Sequence, residues 1–273
     1  MGSYAARQPP ALEAEKPVHV LVTGFGPFLE KIPKNSSWEI ASTLPALIPA
    51  SPENPTPIQI KVHHEPIRVA YQNIVNTIPT ILPPTSNESP APDIVLHIGL
   101  AAARDFYAIE QTAHSRGYSK TADVDGELFT DAQSSQLFPS PHYPTVLHTG
   151  FNTTDVLTRW RANLKHAAAS GSFVPQLSDV RIHPDAGNFL CGFIYYNSLA
   201  HCYDLHGYGG ERPVAFMHVP DLSGEAKVKE GWEVAVALIK ALVQSRKEVG
   251  VANYEGEEGM AVQDDDSRNN TVA

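Results

Sequence analysis

The chain has 273 residues, of which 42% are hydrophobic and 18% charged, and its formal net charge at pH 7 is −10. This composition is typical of a globular protein, and because no apolar run reaches about 18 residues, the sequence predicts no membrane span. The acidic balance argues against nucleic acid or an anionic membrane surface as a partner.

The two ends of the chain differ in composition from the region between them. Residues 1–16 lack the apolar segment of a secretory signal and predict a flexible leader. Residues 249–273 are rich in acidic and small residues and predict a disordered acidic tail. Residues 17–248 show no internal repeat and no linker, so we expect a single domain there.

Strands and helices alternate through the first half of this domain. Apolar β-branched runs predict strands, and spacings of three and four residues predict helices. The predicted elements are a strand at 18–25, a helix at 37–48, a strand at 58–67, a helix at 68–82, and strands at 93–101 and 105–111.

The second half continues the pattern after an irregular stretch. Residues 112–149 are rich in Gly, Ser, Pro and His and predict a long, partly irregular excursion. A helix at 153–170, a strand at 179–185, a helix that begins near residue 190, a strand at 213–221 and a helix at 223–248 then follow. The alternation predicts an α/β fold with three α/β/α layers around a mostly parallel, twisted central sheet.

The two cysteines of the chain, Cys191 and Cys202, fall on one predicted helix. Eleven residues of helix separate them by about 16 Å, which is too far for a disulfide. The sequence has no CxxC motif and no Cys/His spacing typical of zinc. We therefore expect a reducing, cytoplasmic compartment and neither a metal nor an organic cofactor.

Three residues whose side chains could take part in catalysis lie at or just after predicted strand ends. Glu110 closes the strand at 105–111, Cys191 follows the strand at 179–185, and His218 lies near the end of the strand at 213–221. Ligands in open α/β sheets bind beyond the carboxyl ends of the strands, so we expect the three side chains to converge.

Such a trio is suited to acyl transfer through a thiol. A helix N-terminus and a neighbouring imidazolium both favour the thiolate, which is the nucleophile. The imidazole can protonate a leaving amine, a carboxylate can orient the imidazole, and backbone N–H groups can bind an oxyanion.

Each residue also has a plainer interpretation when it is taken alone. Unpaired cysteines such as Cys191 are commonly buried and inert, and Glu110 is typical of a solvated carboxylate. His218 is equally compatible with a structural histidine at a strand end. The aromatic residues Phe25, Phe28 and Phe189 are typical of a core.

Four motifs in order resemble those of the pyroglutamyl peptidase I family. They are "VLVTGFGPF" with "NSSWE", "HIGLAAARDFYAIEQTAHSRGY", "DAGNFLCGFIYYNSL" and "AFMHVPDL". The second resembles the animal-type enzymes most closely. The resemblance implies a phosphorylase/hydrolase-like fold and a cysteine omega-peptidase that removes N-terminal pyroglutamate from peptides through a thioester.

The resemblance also implies the roles of particular residues. Cys191 matches the nucleophile, His218 its histidine and Glu110 the orienting carboxylate. The substrate-binding residues that it implies are Phe25, Phe28, Phe189 and Asn35. A flat, neutral lactam suits a slot between aromatic faces. We expect a monomer or a small homo-oligomer.

Several positions depart from the family pattern. Leu29 stands where the family usually has glycine, Gln111 where a basic residue is common, and Ser115 where asparagine is usual. Arg116 and Lys120 are candidates for the basic group that the family places near the oxyanion. Two rival interpretations remain open: a catalytically impaired homologue that binds small-amide ligands, and a thiol amidase of different specificity.

Overall fold

The computed structural model describes residues 15–28, 34–84, 90–171 and 178–252. Within these ranges eight strands form one sheet in the order β2-β3-β1-β4-β8-β5-β6, and β7 also pairs with β5. The strands are β1 Val18–Gly24, β2 Leu47–Ile48, β3 Ile58–Val62, β4 Ile94–Leu100, β5 Tyr107–His114, β6 Val146–His148, β7 Val180–Asp185 and β8 Val214–Val219. The helices are α1 Ser36–Ala41, α2 Tyr71–Ile81, α3 Asp131–Leu137, α4 Thr153–Ala169, α5 Leu190–His206 and α6 Glu225–Glu248.

The sheet is mostly parallel, which confirms the predicted fold class. Strands β3, β1, β4 and β8 run parallel to one another, and β7 runs parallel to β5. The antiparallel pairs are β2 with β3, β5 with β6, and β5 with β8. The orientation of β5 matters for the site because its beginning, and not its end, lies beside the carboxyl end of β8.

Helices cover both faces of the sheet and bury a core on each. Helices α1, α4 and α6 pack on one face, while α2 and α5 pack against each other on the opposite face. Every residue of β4 is buried, as expected for a strand that is covered on both sides. Between α4 and α6, the indole of Trp160 donates a hydrogen bond to the carbonyl of Val234 at 2.9 Å.

Three predicted elements differ from those observed. The predicted helix at 37–48 ends at Ala41 and gives way to β2, because Pro45 cannot continue a helix. The predicted strand at 58–67 ends at Val62. The stretch at 112–149, predicted to be partly irregular, contains the end of β5, all of α3 and strand β6.

The packed chain continues a few residues beyond the predicted end of the domain at 248. Val251 is buried in the core, and its carbonyl oxygen accepts a hydrogen bond from the N–H of Arg212 at 3.1 Å. In the same region the N–H of Gly150 donates to the carbonyl of Arg212 at 2.9 Å. Residues 1–14 of the predicted leader and 253–273 of the predicted tail lie outside the described residues.

Across the ranges that the structure describes, each helix is too short or too polar to cross a bilayer.

The buried Val251 predicts a sharp stability difference between two shortened proteins. A chain that ends at Gly250 should be less stable than one that ends at Ala252 by about 2 kcal/mol, because it loses a buried valine and a backbone hydrogen bond. Urea unfolding of the two proteins measures the difference. Both lack residues 253–273, so equal unfolding midpoints would show that Val251 contributes nothing.

Candidate active site

A tight turn places Cys191 in the first turn of α5. The carboxylate of Asp185 accepts a hydrogen bond from the N–H of Gly187 at 2.8 Å, and Gly187 has a φ of 81°. The turn folds back on the helix so closely that a Cβ on Gly192 would lie 1.9 Å from the carbonyl oxygen of Gly187. Phe189 precedes the helix without capping it by a side chain, so the N–H groups beside Cys191 lack a side-chain cap.

The sulfur of Cys191 lies against the backbone of Gly99 on β4. A Cβ on Gly99 would be 2.8 Å from Sγ and 2.7 Å from the ring of Phe216, so only glycine leaves room for both. Gly99 is the Cα partner of His218 on β8, and the ring centroids of Phe216 and His218 are 4.8 Å apart. Cys191 and His218 are therefore neighbours on one face of the sheet.

Glu110 is completely buried and binds the imidazole of His218. Its Oε1 lies 2.7 Å from Nδ1 of His218. The sequence placed Glu110 at the end of a strand, but β5 continues to His114 and Glu110 is the fourth of its eight residues. Glu110 nevertheless reaches His218, because Ala108, two residues earlier on β5, pairs with His218 in the antiparallel register of β5 and β8.

Two further side chains surround the carboxylate of Glu110. Arg104, from the loop between β4 and β5, donates from Nη1 to Oε1 at 2.7 Å. Nδ1 of His183, on β7, lies 2.7 Å from Oε2. Sequence reasoning missed both residues. The sequence offered a signal only for Arg104, which lies just after the carboxyl end of β4. The contact of His183 depends on the register of β7 beside β5, which is visible only in the structure.

Helix α5 is tied to the sheet on two sides. The hydroxyl of Tyr195, one turn after Cys191, donates to the backbone carbonyl of Glu110 at 3.1 Å. Deeper in the core, His97 on β4 bridges Thr23 at 2.7 Å and Ser198 of α5 at 2.8 Å. Burial lowers the pKa of His97 to about 3, so this bridge is a neutral imidazole.

Burial and hydrogen bonding together set the charges of the three predicted catalytic side chains. Burial raises the pKa of Cys191 to about 12, and the nearby charge of Glu110 adds to the effect while Arg104 opposes it. Burial lowers the pKa of His218 despite its hydrogen bond to Glu110. The pKa of Glu110 is about 2, because hydrogen bonds from His183 and His218 outweigh the effect of burial.

These shifts describe a resting thiol beside a neutral imidazole and an ionised carboxylate. A helix N-terminus and a neighbouring imidazolium would both favour the thiolate. In the structure the desolvation of the sulfur is the larger effect, so the proton leaves Cys191 only when another group accepts it.

An aromatic surface lies next to Cys191. The rings of Phe28 and Phe189 are 6.3 Å apart at an angle of 50°, and both are partly buried. Tyr71, which sequence reasoning missed, meets Phe189 edge-on at 6.2 Å. Phe25 is only 3% exposed and pairs with Ile67 through an isolated β-bridge, so it lies in the core.

Asn35 fixes the loop after β1 that carries Phe25 and Phe28. Its Nδ2 donates to the carbonyl of Gly26 at 2.9 Å, and its Oδ1 accepts from the N–H and the hydroxyl of Ser37. The Ser37 hydroxyl in turn accepts from the N–H of Phe25 at 3.0 Å. Asn35 was predicted to bind substrate, but it is buried and its polar atoms are engaged within the protein.

The residues that depart from the family pattern lie in different places. Leu29 is outside the described residues. Gln111 donates to the hydroxyl of Thr153 at 3.0 Å, and Ser115 is buried. Arg116 and Lys120, the candidates for a basic group near the oxyanion, are exposed, whereas Arg104 is the basic side chain in contact with Glu110.

Comparison with known proteins settles the family. A family model described as pyroglutamyl peptidase matches residues 18–149, a range that includes Glu110 and ends before Cys191 and His218. Human pyroglutamyl-peptidase 1 is 30% identical over 203 residues, which cover 74% of this chain and 79% of the human protein. The chain belongs to the pyroglutamyl peptidase family.

Other members of the pyroglutamyl peptidase family agree in extent and in fold. Pyrrolidone-carboxylate peptidase 1 of Ralstonia nicotianae is 29% identical over 210 residues, which cover 76% of this chain and 80% of that protein. The crystal structure of the pyrrolidone carboxyl peptidase from Thermus thermophilus has 23% identity and a TM-score of 0.56, covering 83% of this chain and 99% of that chain. The Bacillus amyloliquefaciens pyroglutamyl peptidase I has 19% identity and a TM-score of 0.58, covering 84% and 96%.

The raised pKa of Cys191 predicts how its reactivity depends on pH. In a Cys202→Ala protein, the rate of alkylation by iodoacetamide should rise about tenfold per pH unit between about pH 6 and about pH 9, because the thiolate fraction rises in that proportion below the pKa. Mass spectrometry of the intact protein measures the rate. A plateau below about pH 8 would contradict the prediction and indicate a preformed thiolate–imidazolium pair.

Proposed function

We propose that this protein is a cysteine omega-peptidase that hydrolyses the N-terminal pyroglutamyl residue from peptides. One observation carries the proposal: a buried Glu110 carboxylate binds His218, and the sulfur of Cys191 lies against Gly99, the Cα partner of that histidine. Membership of the pyroglutamyl peptidase family supplies the substrate class, since the relatives carry that activity in their names.

The proposed reaction begins with transfer of the thiol proton from Cys191 to His218. The sulfur attacks the pyroglutamyl carbonyl carbon, and backbone N–H groups in the first turn of α5 bind the resulting oxyanion. His218 then gives the proton to the departing amine, the C–N bond breaks, and a thioester remains. Water, deprotonated by His218, attacks the thioester and releases pyroglutamate and the Cys191 thiol.

The roles of the other groups follow from their contacts. Glu110 accepts the Nδ1 proton of His218, which fixes the tautomer with Nε2 free to exchange the proton with sulfur. An ionised Glu110 also stabilises the imidazolium that forms during attack, which compensates for the high pKa of the thiol. The charge of Arg104 acts on Cys191 in the same favourable direction.

The lactam ring is proposed to lie on the aromatic surface of Phe28 and Phe189. A five-membered lactam has no free α-amine, so an apolar slot without a carboxylate suits it. Phe25 and Asn35 are proposed to act indirectly, by holding the loop that carries Phe28.

We further propose a cytoplasmic location and a monomer or small homo-oligomer, without nucleic acid or membrane as a partner. Both cysteines are free, which suits a reducing compartment. The net charge of −10 disfavours polyanions.

The activity can be tested with three fluorogenic amides and two matched variants. The purified protein should release fluorophore from a pyroglutamyl amide and not from prolyl or glutaminyl amides. Cys191→Ala should abolish release, while Cys202→Ala, which removes the other thiol of the same helix, should retain it. Equal turnover of the three amides would instead indicate a thiol amidase. Binding without turnover, with Cys191 reduced, would indicate a non-catalytic homologue.

Glu110→Gln should lower kcat by about 10²-fold or more and leave a measurable residual rate. The amide lacks the negative charge that stabilises the imidazolium, but Glu110 itself forms no bond to substrate. Cys191→Ser should be nearly as inactive as Cys191→Ala, because a hydroxyl is a weaker nucleophile. Steady-state kinetics of the three variants provides the ranking, and a fully active Glu110→Gln protein would refute the role of Glu110.

A further inference from the structure

We propose that His183 is a positioning residue that shares Glu110 with His218 and so gives the reacting pair a second, pH-dependent control. The proposal rests on the functions proposed above for Cys191, His218 and Glu110. His183 lies outside the three residues that the family resemblance implies.

The carboxylate of Glu110 holds one imidazole on each oxygen. Oε1 lies 2.7 Å from Nδ1 of His218, and Oε2 lies 2.7 Å from Nδ1 of His183. Glu110 and His183 are Cα partners in the parallel register of β5 and β7, so the backbone itself sets this contact. The single buried negative charge of Glu110 therefore binds two imidazole rings.

The contacts of His183 determine which of its nitrogens carries a proton. Nδ1 faces two acceptors, the ionised carboxylate of Glu110 and the carbonyl oxygen of Asp185 at 2.8 Å. Nδ1 must therefore be the protonated nitrogen of the neutral ring, and Nε2 is the nitrogen that titrates. The side chain of His183 is 27% exposed, compared with 6% for His218, so solvent protons reach it more readily.

Opposing charges surround the ring of His183. Nη2 of Arg104 lies 3.3 Å from Nε2 and 3.4 Å from Nδ1, which places the guanidinium against the ring. Burial and Arg104 both lower the pKa of His183, but the hydrogen bond and charge of Glu110, with the carbonyl of Asp185, raise it above its ordinary value. On β8, burial lowers the pKa of His218, and the charges of Arg104 and His183 lower it further.

Protonation of His183 should weaken His218 as a base. As the pH falls, Nε2 of His183 takes up a proton first, because its ring is the more exposed of the two and its Nδ1 lies against two acceptors. The directions of the two pKa shifts agree with this order. The new positive charge on His183 is attracted to the carboxylate of Glu110, and it repels a second positive charge on His218. The two rings then titrate as a coupled pair and not as independent groups.

The pH dependence of kcat/KM for a pyroglutamyl amide tests this coupling. His183→Asn is the informative variant, because the amide N–H can replace Nδ1–H toward Glu110 but cannot titrate. The wild-type profile should show two ionisations on its acid side. The profile of His183→Asn, scaled to its own plateau, should show only one. Its midpoint should lie about one pH unit above the lower of the two wild-type midpoints, which is a tenfold loss of scaled kcat/KM at a pH on that limb.

His183→Ala separates positioning from a merely structural role. This variant removes the hydrogen bond to Glu110 as well as the titration, so its plateau in kcat should be lower than that of His183→Asn, with a similar melting temperature. Superimposable scaled profiles of the wild type and His183→Asn would overturn the proposal.

A measurement that does not need turnover distinguishes this proposal from the proposed function. The NMR titration of the His183 ring, assigned with His183→Asn, should give a pKa above the ordinary histidine value in the wild type and a lower one in Glu110→Gln. An unchanged pKa would refute the sharing of Glu110, even in an active peptidase. Coupling seen in a protein that cleaves no pyroglutamyl amide would refute the peptidase function alone.

Discussion

The arrangement of the site depends on one buried negative charge. A carboxylate removed from water is costly unless hydrogen bonds and opposite charges replace its hydration. Glu110 obtains them from β8, from β7 and from the loop after β4, through His218, His183 and Arg104. One of these contacts, the hydrogen bond to His218, also fixes the imidazole beside Cys191, so the stability of the buried charge and the proposed chemistry share a bond.

The antiparallel orientation of β5 explains how these groups meet. In an entirely parallel sheet, a residue in the middle of a strand would lie well below the edge where ligands bind. Because β5 runs against β8, its second residue, Ala108, pairs with His218 near the end of β8, and Glu110 follows two residues later. The parallel strand β7 then places His183 on the other side of β5. The charge of Glu110 is thus deep in the sheet while the thiol of Cys191 remains partly accessible.

The sequence predicted much of the architecture because apolar periodicity reflects burial directly. The order of the strands and helices other than β2, α3 and β6 followed from local patterns. The position of Cys191 at a helix start and the neighbouring Phe28 and Phe189 followed from local patterns or from the family resemblance. Arg104 and His183 did not, because Arg104 reaches Glu110 from a loop and the contact of His183 depends on strand register, and no local pattern encodes either. Asn35 shows the converse limit, since its motif indicates importance without indicating whether it contacts the ligand or the backbone.

The contact between Cys191 and Gly99 restricts the geometry of any covalent adduct. With the strand backbone on one side of the sulfur, and no space for even a methyl group between them, a new S–C bond must point away from the sheet. An acyl group on that sulfur would therefore extend from the side of Cys191 that faces away from β4. A glycine on a buried strand thus restricts the direction of a bond that forms at a different residue.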